Sequence, residues 1–221
     1  MTLIIGTISK NSIVLTSDGL STPNPLTGRG VSSSDYQKIF PLLGTPVAIA
    51  HYGLNILGKR EVSEVVGGFA AQYAELIQKS SVIDIAKTFV EFVKADVQLT
   101  LNDPTNEGII GFWITGFSPK RSKPKLYEIY WPNQIIPKSC KGLVIVGDGK
   151  EFIMPYLGKA LGPFHPDQVY AYKGDYVRQY HDRLYNAAEA EQMRQGKRIF
   201  GGSKHQLTIT RKECSWVIGP S

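Results

Sequence analysis

Apolar residues alternate with small or polar ones from the first positions of the chain. Leu3-Ile4-Ile5-Gly6-Thr7-Ile8 and Ile13-Val14-Leu15-Thr16-Ser17 are two β-rich runs around the polar group Ser9-Lys10-Asn11-Ser12, which predicts a hairpin ending at Asp18-Gly19. Tyr36 to Phe40 and Val47 to Gly53 read as two further strands. The period then changes. Val62, Val65, Val66, Phe69, Tyr73, Leu76 and Ile77 recur at helical spacing and predict one amphipathic helix from about Arg60 to Lys79. Ser80 and Ser81 interrupt it and cap a second helix, with Ile85, Ala86, Phe89, Val90, Val93 and Val97 on one stripe and Asn102-Asp103-Pro104 as its end. Gly108 to Ser118, Leu126 to Trp131 and Leu143 to Val146 predict strands, and Lys150 to Leu161 and Val169 to Met193 predict helices. His205 to Thr210 and Cys214 to Ile218 close the chain as strands.

Strands, helices, strands, helices, strands is an α+β order. Layer rules match it to two packed antiparallel sheets with a helical layer on each side. No Pro/Gly/Ser stretch is long enough to divide domains and no internal repeat occurs, so residues 1–221 read as one domain. Tyr172, Tyr176, Tyr180 and Leu184 share a helical face, an arrangement that buries a surface more often than it does chemistry.

Composition narrows the class. At 221 residues, 42% apolar and 20% charged, the chain has the make-up of a globular domain with a sizeable core. No apolar run has bilayer length, so membrane insertion is not expected. Cys140 and Cys214 stand alone, which fits buried thiols in a reducing cytoplasm better than a disulfide framework or a zinc site. His51, His165, His181 and His205 are too scattered for a metal cluster, and no cofactor is implied. The net charge of +6 raises nucleic acid as a partner, but the densest basic stretch, Lys120-Arg121-Ser122-Lys123-Pro124-Lys125, reads as a solvated turn between strands.

Candidate chemistry begins at the second residue. Met1 ahead of a small residue is a substrate for methionine removal, after which Thr2 would carry a free α-amine beside its hydroxyl, a base and a nucleophile in one residue. Asp18 falls near it through the hairpin. Lys38 follows in the Tyr36–Phe40 run, and Gly53 closes the run Val47–Gly53.

In this order the chain resembles a β-type proteasome subunit of the bacterial kind, within the N-terminal nucleophile hydrolases. The family pattern is a Thr, a Gly four residues on, an Asp sixteen residues after the Thr, a Lys in a Lys-Ile strand, and an Ala-Gly or similar pair opening a helix. Thr2, Gly6, Asp18, Lys38 and Gly53 stand in those places. Phe112 to Phe117, Lys125 to Ile129, the turn Gly147-Asp148-Gly149 and the pair Gly201-Gly202 extend the likeness over essentially the whole chain. The resemblance implies an αββα sandwich and a threonine peptidase acting on peptides or unfolded chains inside a homo-oligomeric ring, with an ATP-dependent unfoldase as a possible partner.

The resemblance also implies roles. The α-amine of Thr2 would be the base, Lys38 would favour the alkoxide, Asp18 would pair with Lys38, and the Gly53 amide at a helix start would bind the oxyanion. Ser21 and Thr22 would hold an extended substrate main chain. His51 matches the floor of the pocket for the side chain before the cut, with Tyr36 and Phe40 as walls; a core histidine is an equal reading of His51. Asp148 stands where the family has a serine near the nucleophile's amine. Lys197-Arg198-Ile199-Phe200 replaces its Asp-x-x-Ser before the glycine pair. Two alternatives remain beside the peptidase, a silent ring or scaffold subunit and an amidase acting on a small acylated molecule. The helix stripes look wider than one core face needs, since Val65, Leu76, Ala86 and Val90 broaden them, and this points to subunit contacts.

Overall fold

The computed structural model describes residues 2–22, 32–104, 108–119, 123–157 and 170–220. The opening hairpin forms as expected: β1 (Ile4–Ile8) pairs antiparallel with β2 (Ile13–Asp18), Ile4 opposite Ser17. Three more strands complete the first sheet, β10 (Leu143–Val146), β11 (Lys204–Ile209) and β12 (Cys214–Ile218), in the order β10-β1-β2-β11-β12. The second sheet holds β3 (Ile39–Pro41), β4 (Val47–Gly53), β7 (Ile110–Gly116), β8 (Lys125–Trp131) and β9 (Gln134–Cys140), in the order β3-β4-β7-β8-β9. Both sheets are antiparallel throughout.

Strand alternation decides what each face meets. Ile4, Ile8, Ile13, Leu15, Leu207 and Ile209 of the first sheet are buried with Ala48, Ala50, Trp113 and Leu126 of the second. The odd residues Leu3 and Ile5 turn the other way, onto Phe152 and Ile153 of α4 (Lys150–Ile153) and Tyr180, Leu184 and Ala188 of α5 (Gly174–Arg194). Ile49, Phe112, Ile114 and Ile129 of the second sheet pack under Val66 and Phe69 of α1 (Val62–Gln72) and Ile85, Phe89 and Val93 of α3 (Val82–Leu101). Each such side chain is worth about 1.5–3 kcal/mol when fully buried. A polar staple joins α5 to the first sheet: the buried His181 ring bonds Thr7 Oγ1 through Nε2 at 2.7 Å and Thr16 Oγ1 through Nδ1 at 2.9 Å.

Several expectations are corrected. The first helix does not run from Arg60 to Lys79. Arg60 lies in a small hairpin, β5 (Ile56–Leu57) with β6 (Arg60–Glu61), held on α3 by an Arg60–Asp96 ion pair at 2.5 Å and by Gly58 N–H donating to Thr100 Oγ1 at 2.7 Å. The helix then breaks at Tyr73, whose ring packs against Phe69 and Phe92, and resumes as α2 (Ala74–Lys79). The helix from Lys150 ends at Ile153 and passes into one 3-10 turn, Met154–Tyr156, because Pro155 brings no amide for a continuing helix. Its expected end at Leu161 lies outside the described residues. Strand β9 had no expectation at all. Nor do the broad helix stripes leave a spare face: Val65 and Ala86 are fully buried in the same core as Val66 and Phe89, and Leu76 and Val90 pack against it.

Candidate active site

Thr2 stands two residues ahead of β1, and alternation places it on the face that looks toward the second sheet. It is buried, and its carbonyl accepts the Gly149 amide at 3.1 Å. The β1–β10 register, Ile4 opposite Val146, brings Asp148 opposite Thr2 when extended by two residues. Gly147 takes φ +91, and a Cβ there would stand 2.1 Å from the Thr2 carbonyl oxygen. The turn Gly147-Asp148-Gly149 therefore clasps the Thr2 peptide closely, which only glycine at 147 allows.

Asp18 ends β2 with its carboxylate fully buried. Oδ1 accepts Lys38 Nζ at 2.7 Å and the amide of Leu3, the residue after Thr2, at 2.8 Å. Oδ2 accepts the Gly201 amide at 3.3 Å. Lys38 Nζ also donates to the Leu20 carbonyl at 2.7 Å. Burial pushes the Lys38 ammonium below its ordinary pKa, while Asp18 and, at longer range, Asp148 hold it up. Desolvation of an ammonium this deep is offset only by such a fully bonded partner. Gly6, four residues after Thr2, has no room for a side chain, since a Cβ would meet the Trp113 ring at 2.8 Å.

Gly53 does not open a helix. It is the last residue of β4, exposed, with φ +93, and α1 starts only at Val62. The intervening residues form the β5–β6 hairpin. Its amide is nonetheless aimed in a definite direction. His51 N–H donates to the Lys38 carbonyl at 2.9 Å and Leu54 N–H to the Ile109 carbonyl at 2.9 Å, so alternation directs the Gly53 N–H to the β3 edge, the Lys38 side.

Ser21 and Ser33 form an isolated antiparallel bridge, each amide donating to the other's carbonyl at 2.8 and 3.1 Å. Their main chains face each other, which directs the main-chain groups of exposed Thr22 the opposite way. Tyr36 is buried, its hydroxyl directed at the Asn55 carbonyl at 3.5 Å, and burial raises its pKa. Phe40 belongs to the core under α1 and α3, so it and Tyr36 do not share a cluster. His51 is buried against Phe112, ring centroids 5.3 Å apart, with Nε2 bonded to the Leu54 carbonyl at 2.6 Å. Burial pushes its pKa down to about 3, against the pull of the Leu54 carbonyl.

Three supports escaped the sequence reading. Asn55 donates to Ser21 Oγ at 2.6 Å and accepts the Val62 amide at 3.1 Å, tying the β4–β5 turn to the Ser21 segment and to α1. Gln192 of α5 staples the stretch before Gly201, accepting Ile199 N–H at 2.9 Å and Phe200 N–H at 3.2 Å and donating to the Phe200 carbonyl at 2.8 Å. The Gly201 carbonyl in turn accepts the Gly19 and Leu20 amides at 3.1 and 2.8 Å. Only the glycine pair carried a visible signal. Among the described residues no group of three or more His, Cys, Asp or Glu is placed to hold a metal ion, and no helix is long and apolar enough to cross a membrane. No family model matches this chain, and no curated protein matches it in sequence.

Proposed function

We propose that this chain is an N-terminal threonine hydrolase of the proteasome β-subunit type, a four-layer αββα sandwich that cleaves peptides or unfolded chains at Thr2. One observation supports the reading: Asp18 Oδ1 is shared by the buried Lys38 ammonium and by the amide of Leu3, the residue after the proposed nucleophile. With Met1 removed, the Thr2 hydroxyl attacks the scissile carbonyl while the α-amine takes its proton. Lys38 favours the developing alkoxide, and the Gly53 amide, aimed at the same edge, stabilises the oxyanion. The amine returns its proton to the leaving amine, and water then hydrolyses the ester on Thr2. Thr22 binds the substrate main chain as an added strand.

The test has two parts. Intact-mass measurement of native protein should show loss of one methionine, and a fully retained Met1 sinks the reading. Thr2→Ala should abolish turnover of a fluorogenic peptide, with Thr2→Ser keeping some because it retains both hydroxyl and amine. Assembly into a homo-oligomeric ring belongs to the same proposal, and light scattering coupled to size exclusion decides it.

A non-cleaving scaffold subunit of the same fold is the second reading, and Asp148 favours it. A carboxylate on the turn that clasps Thr2 holds a neighbouring amine protonated and opposes its use as a base. Under this reading wild type and Thr2→Ala are equally inert, and Asp148→Ser gains turnover.

A further inference from the structure

Both members of the Asp18–Lys38 pair adjoin one junction of main chains outside the strands. There the Gly19 and Leu20 amides donate to the Gly201 carbonyl, Tyr36 N–H donates to the Gly19 carbonyl at 2.7 Å, and Ser203 N–H donates to the Ser34 carbonyl at 2.6 Å. Ser21 and Ser33 bridge each other in the same place. The junction also supplies the pair's further bonds: the Leu20 carbonyl accepts Lys38 Nζ, and the Gly201 amide donates to Asp18 Oδ2. His205 of β11 reaches into it from the core. The ring is fully buried, and its Nε2 lies 2.8 Å from Asp35 Oδ1.

For packing alone, histidine is a poor choice at this position. An ionised carboxylate only accepts, so the bond to Asp35 takes its proton from His205 Nε2. Nδ1 is buried without a partner among the described residues, and so is the Oγ of Ser17, which stands opposite His205 across the β2–β11 ladder. Ile4 fills the next place along that row with an apolar side chain, and Trp216 meets the imidazole edge-on with ring centroids 6.4 Å apart. An apolar residue at 205 would strand no ring nitrogen, and native interiors rarely strand one. What the histidine adds is a donor for Asp35, three residues before Lys38. We propose that His205 is a positioning residue: through Asp35 it holds residues 33–36 on the junction and so keeps Lys38 in place on Asp18. The use of that placement in catalysis rests on the peptidase reading above.

The experiment compares Asp35→Ala, which removes the acceptor from a partly exposed side chain and leaves the core ring in place, with Asp35→Asn, whose amide oxygen still accepts Nε2–H. Hydrogen exchange followed by NMR reads the placement without any turnover. The Leu3 and Gly201 amides report on Asp18, to which they donate, and the His51 amide reports on the Lys38 carbonyl. In Asp35→Ala all three should exchange about tenfold faster or more, while the Phe89 amide inside α3 keeps its rate. His205→Phe should do the same, and Asp35→Asn should stay within about threefold of wild type. Against a fluorogenic peptide, Asp35→Ala should lower kcat about tenfold or more with KM within about twofold, and Asp35→Asn should restore most of it. Unchanged rates at the three amides in Asp35→Ala, or in folded His205→Phe, overturn the positioning role. Equal acceleration at Phe89 overturns it too, because it reports a fold loosened everywhere. No turnover by wild type with an exposed Thr2 overturns the peptidase reading alone, since the exchange rates decide the placement by themselves.

Discussion

Asp18 Oδ1 serves two donors at once, and this makes Lys38 the residue whose loss the fold should feel most. Both side chains are almost completely buried, and an ion pair in that setting gains little over an apolar pair yet costs much when one partner goes. Lys38→Met should therefore destabilise the protein by about 3–5 kcal/mol in urea unfolding, because it leaves a buried carboxylate with amide donors alone. Adding Asp18→Asn should recover part of that loss, since the neutral side chain still accepts the Leu3 amide. Strict additivity of the two changes would show that the groups do not interact. The pair was expected from the resemblance, on the order and spacing of Thr2, Asp18 and Lys38. Its other partners, the Leu20 carbonyl and the Gly201 amide, were not, since main-chain groups carry no residue-type signature.

Among the elements, the turn between β10 and α4 does the most to place Thr2. An alanine at 147 would have to hold φ near +91 with its Cβ against the Thr2 carbonyl. Gly147→Ala should cost roughly 3 kcal/mol through backbone strain and overpacking, and under the peptidase reading it should lower kcat more than it raises KM. Stability within 0.5 kcal/mol of wild type, roughly the effect of an ordinary surface substitution, would show that the turn does not constrain Thr2. The eight other long strands and the capped helix α3 were readable from alternation, helical stripe and turn chemistry, and Ser81 does accept the Asp84 amide as a cap. Strand β9 was not. Gln134-Ile135-Ile136-Pro137-Lys138 has a proline inside and two exposed isoleucines side by side, because an edge strand pairs on one side only and need not alternate. Arg60 and Gly53 misled for a tertiary reason: the short hairpin between them owes its place to α3, more than thirty residues on.

Across the whole molecule, two fully buried imidazoles are held neutral by the core, His181 against the first sheet and His51 in the second. Burial pushes both pKa values down to about 3, whereas an unfolded histidine takes its proton near 6.5. The sign follows directly. Below pH 6.5 the unfolded chain binds two protons that the fold refuses, so stability is full above that pH and falls as acid is added, down toward pH 3. Each site contributes about 1.4 kcal/mol per pH unit once its unfolded form is protonated, and the pair roughly 2–3 kcal/mol per unit between pH 6 and pH 5. That window lies above the ordinary carboxylate range, so the slope reports the imidazoles. Urea unfolding at pH 7, 6 and 5 should show it, and His181→Gln should roughly halve the slope while lowering stability at pH 7 through the lost bonds to Thr7 and Thr16. Because the sheets share one apolar interface, the acid transition should be single, with far-UV and tryptophan signals falling together. A stability independent of pH over that range would mean that neither imidazole is held neutral by the core.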